Sequence, residues 1–366
     1  MTNVYFISSR VKKQKGLLEK FEKLLDYLKL ELFDKNDSVL IKTHFGEDGN
    51  TAFISPMYIR KVVDYLKKNQ TKPFIGDTST LYSGRRKEGV SHLELAIQHG
   101  FGYSTVNAPL VILDGVKSDY TKEIEINKKH FKTVQLGGGF IEADGMIVLS
   151  HVKGHIVAGM GASLKNLSMG LGSRTQKQRM HGDIKPQYKK AKCIFCNKCV
   201  EICPENAITN KSDEAIKIDY KKCVGCAECI TNCPTQALKI LWNETPKNLA
   251  EKMAETAYAA TQKIKDKVYY FNFLTNITPD CDCAPWSDNP VVNDIGILAS
   301  NDPLAIDQAS FDLINKQKKL NNSILENKDG EVFETMHKGI DPIHQVNYGE
   351  EIGIGKKEYN LVELGW

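Results

Sequence analysis

Cys193-Ile-Phe-Cys196-Asn-Lys-Cys199-Val-Glu-Ile-Cys203-Pro204 is answered, thirty residues on, by Cys223-Val-Gly-Cys226-Ala-Glu-Cys229-Ile-Thr-Asn-Cys233-Pro234. The second run repeats the cysteine spacing of the first and ends on the same proline. Three thiolates, each three residues from the next, lie on one tight loop and reach three corners of a single core. The fourth cysteine opens the next turn, where proline fixes φ and stops the chain folding back over that core. Gly225 and Ala227 keep the second loop small, so backbone N–H groups approach sulfur closely.

This is the spacing of bacterial-type ferredoxins, in which the fourth cysteine of each run ligates the other cluster. On that pattern Cys193, Cys196, Cys199 and Cys233 hold one [4Fe–4S] cluster, and Cys223, Cys226, Cys229 and Cys203 hold a second. Zinc is the competing reading, but zinc knuckles pair two short Cys-x-x-Cys hairpins and do not use four thiolates plus proline twice. The chain carries ten cysteines and no export signal. That places it in a reducing cytosol and disfavours a disulfide framework.

At 366 residues, two to three domains are expected. Hydrophobic content of 41% and charged content of 26% are ordinary for a globular chain. No apolar run approaches the ~18 residues of a membrane helix. The net charge of +4 is spread along the sequence, so neither nucleic acid nor membrane is expected as a partner.

Around the cysteine runs, short apolar strands alternate with amphipathic helices. Strands are expected at Val4–Ile7, Ser38–Lys42, Pro73–Gly76, Val111–Leu113, Glu123–Ile126, Gly145–Ser150, Val268–Phe273 and Asp294–Ala299. Helices are expected at Leu17–Leu30, Pro56–Lys68, Val90–His99, Ala162–Leu171, Leu249–Ile264 and Pro303–Lys316. The fold class is therefore α/β, with a mainly parallel sheet and flanking helices. A small α+β ferredoxin domain at 183–243, with a strand at Ala215–Tyr220, interrupts it between an α/β part at 1–182 and another at 244–366. The polar tail from Asn321 is expected to wrap the domain edge.

Open α/β sheets bind ligands beyond the carboxyl ends of their strands. Four expected strands release polar groups there: Lys42, Thr43 and His44; Asp77 to Thr80; Ser150, His151, Lys153 and His155; and Ser300 to Asp302. His151-Val-Lys-Gly-His155 offers two imidazoles for metal or proton chemistry, and Gly154 argues against a helix there. Gly159-Met-Gly161-Ala-Ser-Leu-Lys165-Asn166 leads into a helix whose N–H groups and lysine suit an anion. It is neither a Walker loop nor a dinucleotide fingerprint. Candidate catalytic residues are His44, Asp77, His151, Lys153, His155 and Lys165. Four of the six arginines, Arg85, Arg86, Arg174 and Arg179, fall in glycine-bearing loops and are candidates to clamp an anion, with salt bridging as the bland alternative. Cys281 and Cys283 are spaced too closely to bridge without strain. They remain a metal-ligand pair, a redox thiol site or buried small residues.

The segments Cys281-Asp-Cys283-Ala-Pro-Trp-Ser-Asp288, Asp294-Ile-Gly-Ile-Leu-Ala-Ser300-Asn-Asp302-Pro-Leu-Ala-Ile-Asp307-Gln-Ala, His151–His155 and Ala162-Ser-Leu-Lys165-Asn166-Leu together resemble the domain-of-unknown-function family 362. The resemblance covers nearly the whole chain. It implies an α/β fold, often with an inserted two-cluster ferredoxin unit, mostly in anaerobes, and supplies no substrate. The expected function is electron transfer between two [4Fe–4S] clusters and an anionic small-molecule site in the α/β domain, with His181 and Asp183 between the centres. A non-enzymatic carrier or adaptor that docks a redox partner protein, and a metal-dependent enzyme using the clusters structurally, are the rivals.

Overall fold

The apolar segments assemble into one eight-stranded sheet: β1 (Thr2–Ser8), β2 (Ser38–Lys42), β3 (Lys72–Asp77), β4 (Leu110–Ile112), β5 (Gly145–His151), β6 (Val268–Leu274), β7 (Gly296–Ser300) and β8 (Tyr359–Glu363). Their order across the sheet is β8-β1-β7-β6-β5-β2-β3-β4. Every pairing is parallel except the two made by β7. This computed structural model describes residues 1–11, 14–182, 185–210, 215–223, 225–239 and 242–366.

Both faces of the sheet are covered, which is why its central strands read as unbroken apolar runs. Met146 and Val148 of β5 join one core, with Leu40, Tyr270 and Leu298. Ile147 and Leu149 turn to the other, with Val39, Ile41 and Phe271. Helix Pro56–Lys68 shows how local sequence serves this layering. Ser55 caps it, proline occupies its first turn, and Ile59, Val62, Val63 and Leu66 form one buried stripe.

Three expectations change. The strand after Asp294 runs antiparallel to both neighbours, so Ser300–Asp302 leave at the opposite edge from the other strand ends. There Asp302 caps helix Pro303–Asn315, accepting from the N–H groups of Leu304 and Ala305. The tail does reach the domain edge, but its last segment pairs with β1 as a full edge strand. The expected strand near Glu123 belongs to a separate hairpin, Thr121–Glu125 with Thr133–Gly137.

The segment carrying the cysteine runs adds no described strand to the large sheet. It has its own hairpin, Ile208–Asn210 with Ile216–Ile218, and its own small buried cluster. The sequence repeat is also a backbone repeat. Positive φ recurs at Phe195 and Gly225, at Asn197 and Ala227, and at Asn206 and Gln236, always thirty residues apart. Both short helices, Lys198–Glu201 and Glu228–Thr231, carry the third cysteine of their run. The expected boundary at 183, and Asp183 with it, lie outside the described residues.

Candidate functional site

The cysteines fall into two groups of four. One small cavity is lined by Cys193, Cys196, Cys199 and Cys233 with Pro234, and another by Cys203, Cys223, Cys226 and Cys229 with Pro204. Each group thus takes three thiols from one run and the fourth from the other. Burial, and after it the neighbouring thiols, push Cys199 up to about 11 and Cys229 up to about 12. Four crowded sulfur donors of this kind suit a cationic metal core, which removes that penalty. The backbone N–H of Ala207 donates to Cys203 Sγ at 3.2 Å and that of Leu238 to Cys233 Sγ at 3.5 Å, bonds that suit charged ligating sulfur.

A third cavity of about 450 Å³ opens beyond the carboxyl ends of β2, β3 and β5. Its size is that of a small-molecule site. His44, Asp77, His151, Lys153, His155 and Lys165 all line it. Lys42 lies beneath, fully buried, bonded to Asp77 Oδ1 at 3.0 Å and to Asn166 Oδ1 at 2.7 Å. Gly170 lets Lys42 through, since a Cβ there would meet its Nζ at 2.5 Å. Burial opposes the charge on Asp77, but Lys42, His92 and Arg86 outweigh it and hold the carboxyl below its usual range.

His151 and Lys153 converge on one carboxylate. His151 Nδ1 meets Asp282 Oδ1 at 2.8 Å, and Lys153 Nζ meets Asp282 Oδ2 at 2.9 Å. His151 Nε2 faces the backbone oxygens of Thr275 and Asn276 at 3.0 Å, just after β6. Burial works against ionised Asp282, yet His151 and Lys153 keep it well below the carboxylate range. Residues 153–155 form a strand that pairs with Gly159–Gly161, as Gly154 suggested. Any larger residue at 154 would run into Pro279 O, 2.1 Å from its Cβ.

Lys165 differs from these paired lysines. Among the described residues nothing accepts a hydrogen bond from its ammonium, and its stem packs over Gly161 beside Lys153. Burial, then Lys153, hold it well below the ordinary lysine range. The helix start in front of it offers no anion site. The N–H groups of Ser163 and Leu164 already donate to Asp307, each at 2.9 Å. Burial pushes Asp307 up to about 6 despite those bonds.

The four arginines do not converge. Only Arg86 lines the cavity, and it is committed to Glu47 Oε2 at 3.0 Å, to His44 Nε2 at 2.8 Å and to Tyr82. Burial and Arg86 together hold His44 well below the imidazole range, so it stays neutral beside Arg86. Arg85 reaches Gln98, Arg174 donates to Thr80 O, and Arg179 donates to Gln176 and Thr133 O while stacking over Phe131. Positive charge comes to the cavity from lysines, including Lys177, which burial pushes down to about 8.

Cys281 and Cys283, a pair whose spacing lets them bridge only with strain, are bonded to each other on the cavity wall. The Cα atoms of the pair, 5.2 Å apart, lie within ordinary disulfide reach. With His155 they form a group whose ligand atoms lie within 4.8 Å of one another, compatible with metal binding. Sequence reading missed Tyr82, Lys177, Trp242, Asp280 and Trp286 in the lining. Tyr82 and Lys177 sit beside singled-out arginines, but no spacing rule marks either.

The cysteine segment packs beside this cavity. Helix Arg174–His181 carries Lys177 and His181 into the lining, and its Thr175 hydroxyl meets that of Thr231 at 3.1 Å, two residues after Cys229. His181 contacts Trp242, 4.8 Å between ring centroids, where the chain returns from the segment.

A mainly parallel α/β sheet, a cavity at its strand ends and an adjoining eight-cysteine segment define the class of protein. The chain belongs to the family described as Domain of unknown function (DUF362), which matches residues 39–312. No curated protein sequence matches it. Among solved structures it is similar to a Thermotoga maritima protein, at 9% identity and a TM-score of 0.41, covering 72% of this chain and 52% of that one. It is also similar to the lactate racemase apoprotein from Thermoanaerobacterium thermosaccharolyticum, at 13% identity and a TM-score of 0.37, covering 75% and 51%. The chain thus spans about half the length of these structures. No described helix is long and apolar enough to cross a membrane.

Proposed function

We propose that this chain is an iron–sulfur oxidoreductase. Two [4Fe–4S] clusters, held by Cys193, Cys196, Cys199, Cys233 and by Cys203, Cys223, Cys226, Cys229, exchange electrons with a small anionic molecule in the sheet-edge cavity. The observation that carries this is the pair of four-thiol cavities, in a segment that meets helix Arg174–His181 at Thr231 while Lys177 and His181 of that helix line the third cavity. One helix is on the order of 10 Å thick. When bound, the clusters would supply single electrons.

The chain's own residues account for the rest. Lys165 is the lining cation with no described partner, so it binds the anionic group of the ligand. Its depressed proton affinity also favours handing a proton to the ligand. Asp282 anchors His151 and Lys153 and so fixes the floor of the site. Ile54, Leu81, Leu149 and Met169 supply apolar wall, which suits a ligand with an organic body. A cavity built this way favours a small substrate over docking of a partner alone.

The test is rapid mixing of dithionite-reduced, anaerobic protein with anionic organic acceptors while the clusters' visible absorbance is followed. Oxidation on a turnover timescale, slowed in Lys165→Met, supports the proposal. Oxidation only by a partner protein, indifferent to Lys165→Met, contradicts it.

A further inference from the structure

Eight cysteines of this chain form no disulfide, and the remaining two are bonded to each other at the cavity. A chain held together by disulfides would not show that pattern. A single bonded pair amid free thiols is the arrangement of catalytic or sensing disulfides.

The wall around the pair is built to hold it. Asp282, between the two cysteines, turns inward and is gripped on both carboxylate oxygens by His151 and Lys153. Its backbone oxygen accepts from the N–H of Glu47, and the Cys283 oxygen accepts from Tyr82. With the middle residue fixed in the wall, the flanking sulfurs face the cavity. Cys281 is buried and Cys283 is the more open of the two.

His155 decides between a thiol couple and a metal site. Its Nδ1 accepts from the N–H groups of Val157 at 3.2 Å and Ala158 at 2.9 Å. That bonding assigns the neutral ring its proton at Nε2, leaving an N–H to donate and no free lone pair for a metal. Burial, then Lys165, hold the ring neutral. A neutral N–H donor and a nearby lysine ammonium stabilise a cysteine thiolate.

We infer that Cys281 and Cys283 form a redox-active dithiol/disulfide couple that reduces a small anionic disulfide bound against Lys165. The open Cys283 thiolate attacks one sulfur of the substrate, forming a mixed disulfide and expelling the other half as a thiolate, which takes up a proton. Cys281 then attacks Cys283, forming the internal disulfide and releasing the second half as a thiol. The substrate gains two electrons and two protons, and the pair loses them. The pair is restored by two electrons and two protons from an external dithiol, or from a one-electron donor used twice, the class to which the proposed clusters belong. The couple therefore stands apart from the cluster reading, which concerns only its electron source.

The experiment uses anaerobically purified full-length protein, alkylated with iodoacetamide before and after dithiothreitol, with peptide mass spectrometry of the Cys281–Cys283 segment. The expected result is no label on either cysteine before reduction and label on both afterwards. Reduced protein, freed of dithiothreitol and mixed with oxidised glutathione, releases reduced glutathione and regains the unlabelled state. Cys281→Ser traps a glutathione adduct on Cys283, and Cys283→Ser releases nothing above background. Label on both cysteines even after exposure to oxidised glutathione overturns the inference. So does tightly held zinc that is lost in Cys281→Ser, which makes the group a metal site. The wild-type labelling pattern needs no variant to fold. A couple that cycles in iron-free protein leaves this inference standing whatever becomes of the cluster reading.

Discussion

The cysteine segment and the α/β sheet keep their shapes by different means. The sheet lies between two large apolar cores, with Phe21 packed edge to face on Phe271 and tilted against Phe273 on one side. The described cysteine segment buries only Ile208, Ile216, Ala227, Cys229, Ile230 and Leu238 as its core. A core so small rarely holds a fold alone, and the usual remedies are a metal or a disulfide. Its eight thiols are not bonded to one another and are compatible with metal binding, as the proposed function requires. On the proposed function, one region is stable because of what it buries, and the other because of what it binds.

The largest expected effect breaks the two apart. Removing iron with a chelator and oxidant should abolish amide-exchange protection in residues 185–239 and leave β5 and β6 protected. Equal loss in both regions would show that the sheet also leans on the metal. Next comes Asp282→Asn, which removes the charge from a buried carboxylate and leaves Lys153 uncompensated. A cost of about 3–5 kcal/mol in chemical denaturation is expected, with iron content unchanged. Lys165→Met should do the reverse. Stability should hold while affinity for the anionic ligand falls by about tenfold to a hundredfold, as for a lost charged hydrogen bond of about 1.5–3 kcal/mol.

A smaller effect reads burial through pH. Lys177 sits at about 8 against an ordinary 10.5, chiefly through burial. Between those values the unfolded chain holds a proton that the folded chain has released. Stability therefore rises as pH climbs from about 8 toward 10.5, and this gain is absent in Lys177→Met. Urea midpoints at stepped pH check it; identical slopes in the two proteins would contradict it. Arg85→Ala, at a half-exposed position, should shift stability by no more than about 0.5 kcal/mol.

Much of this was legible from residue spacing. The cysteine repeat carries through to backbone conformation because equal spacing of the same loop puts positive φ at matching places, as Asn197 and Ala227 show. Helix Pro56–Lys68 and strand β5 were legible because burial on one or both faces imposes a pattern. The direction of β7 was not, since an apolar run reads the same either way along a sheet. Nor was the fate of the arginines, which depends on contacts far apart in sequence, such as Arg179 over Phe131. The Cys281–Cys283 bond escaped for a similar reason. Its setting is fixed by His151 and Lys153, more than a hundred residues earlier.

The central claim is most directly met by counting. Protein purified without oxygen should contain about eight iron and about eight acid-labile sulfide per chain, and on reduction should give the electron paramagnetic resonance of two interacting [4Fe–4S]⁺ centres. Colourless protein holding zinc and no sulfide would contradict it.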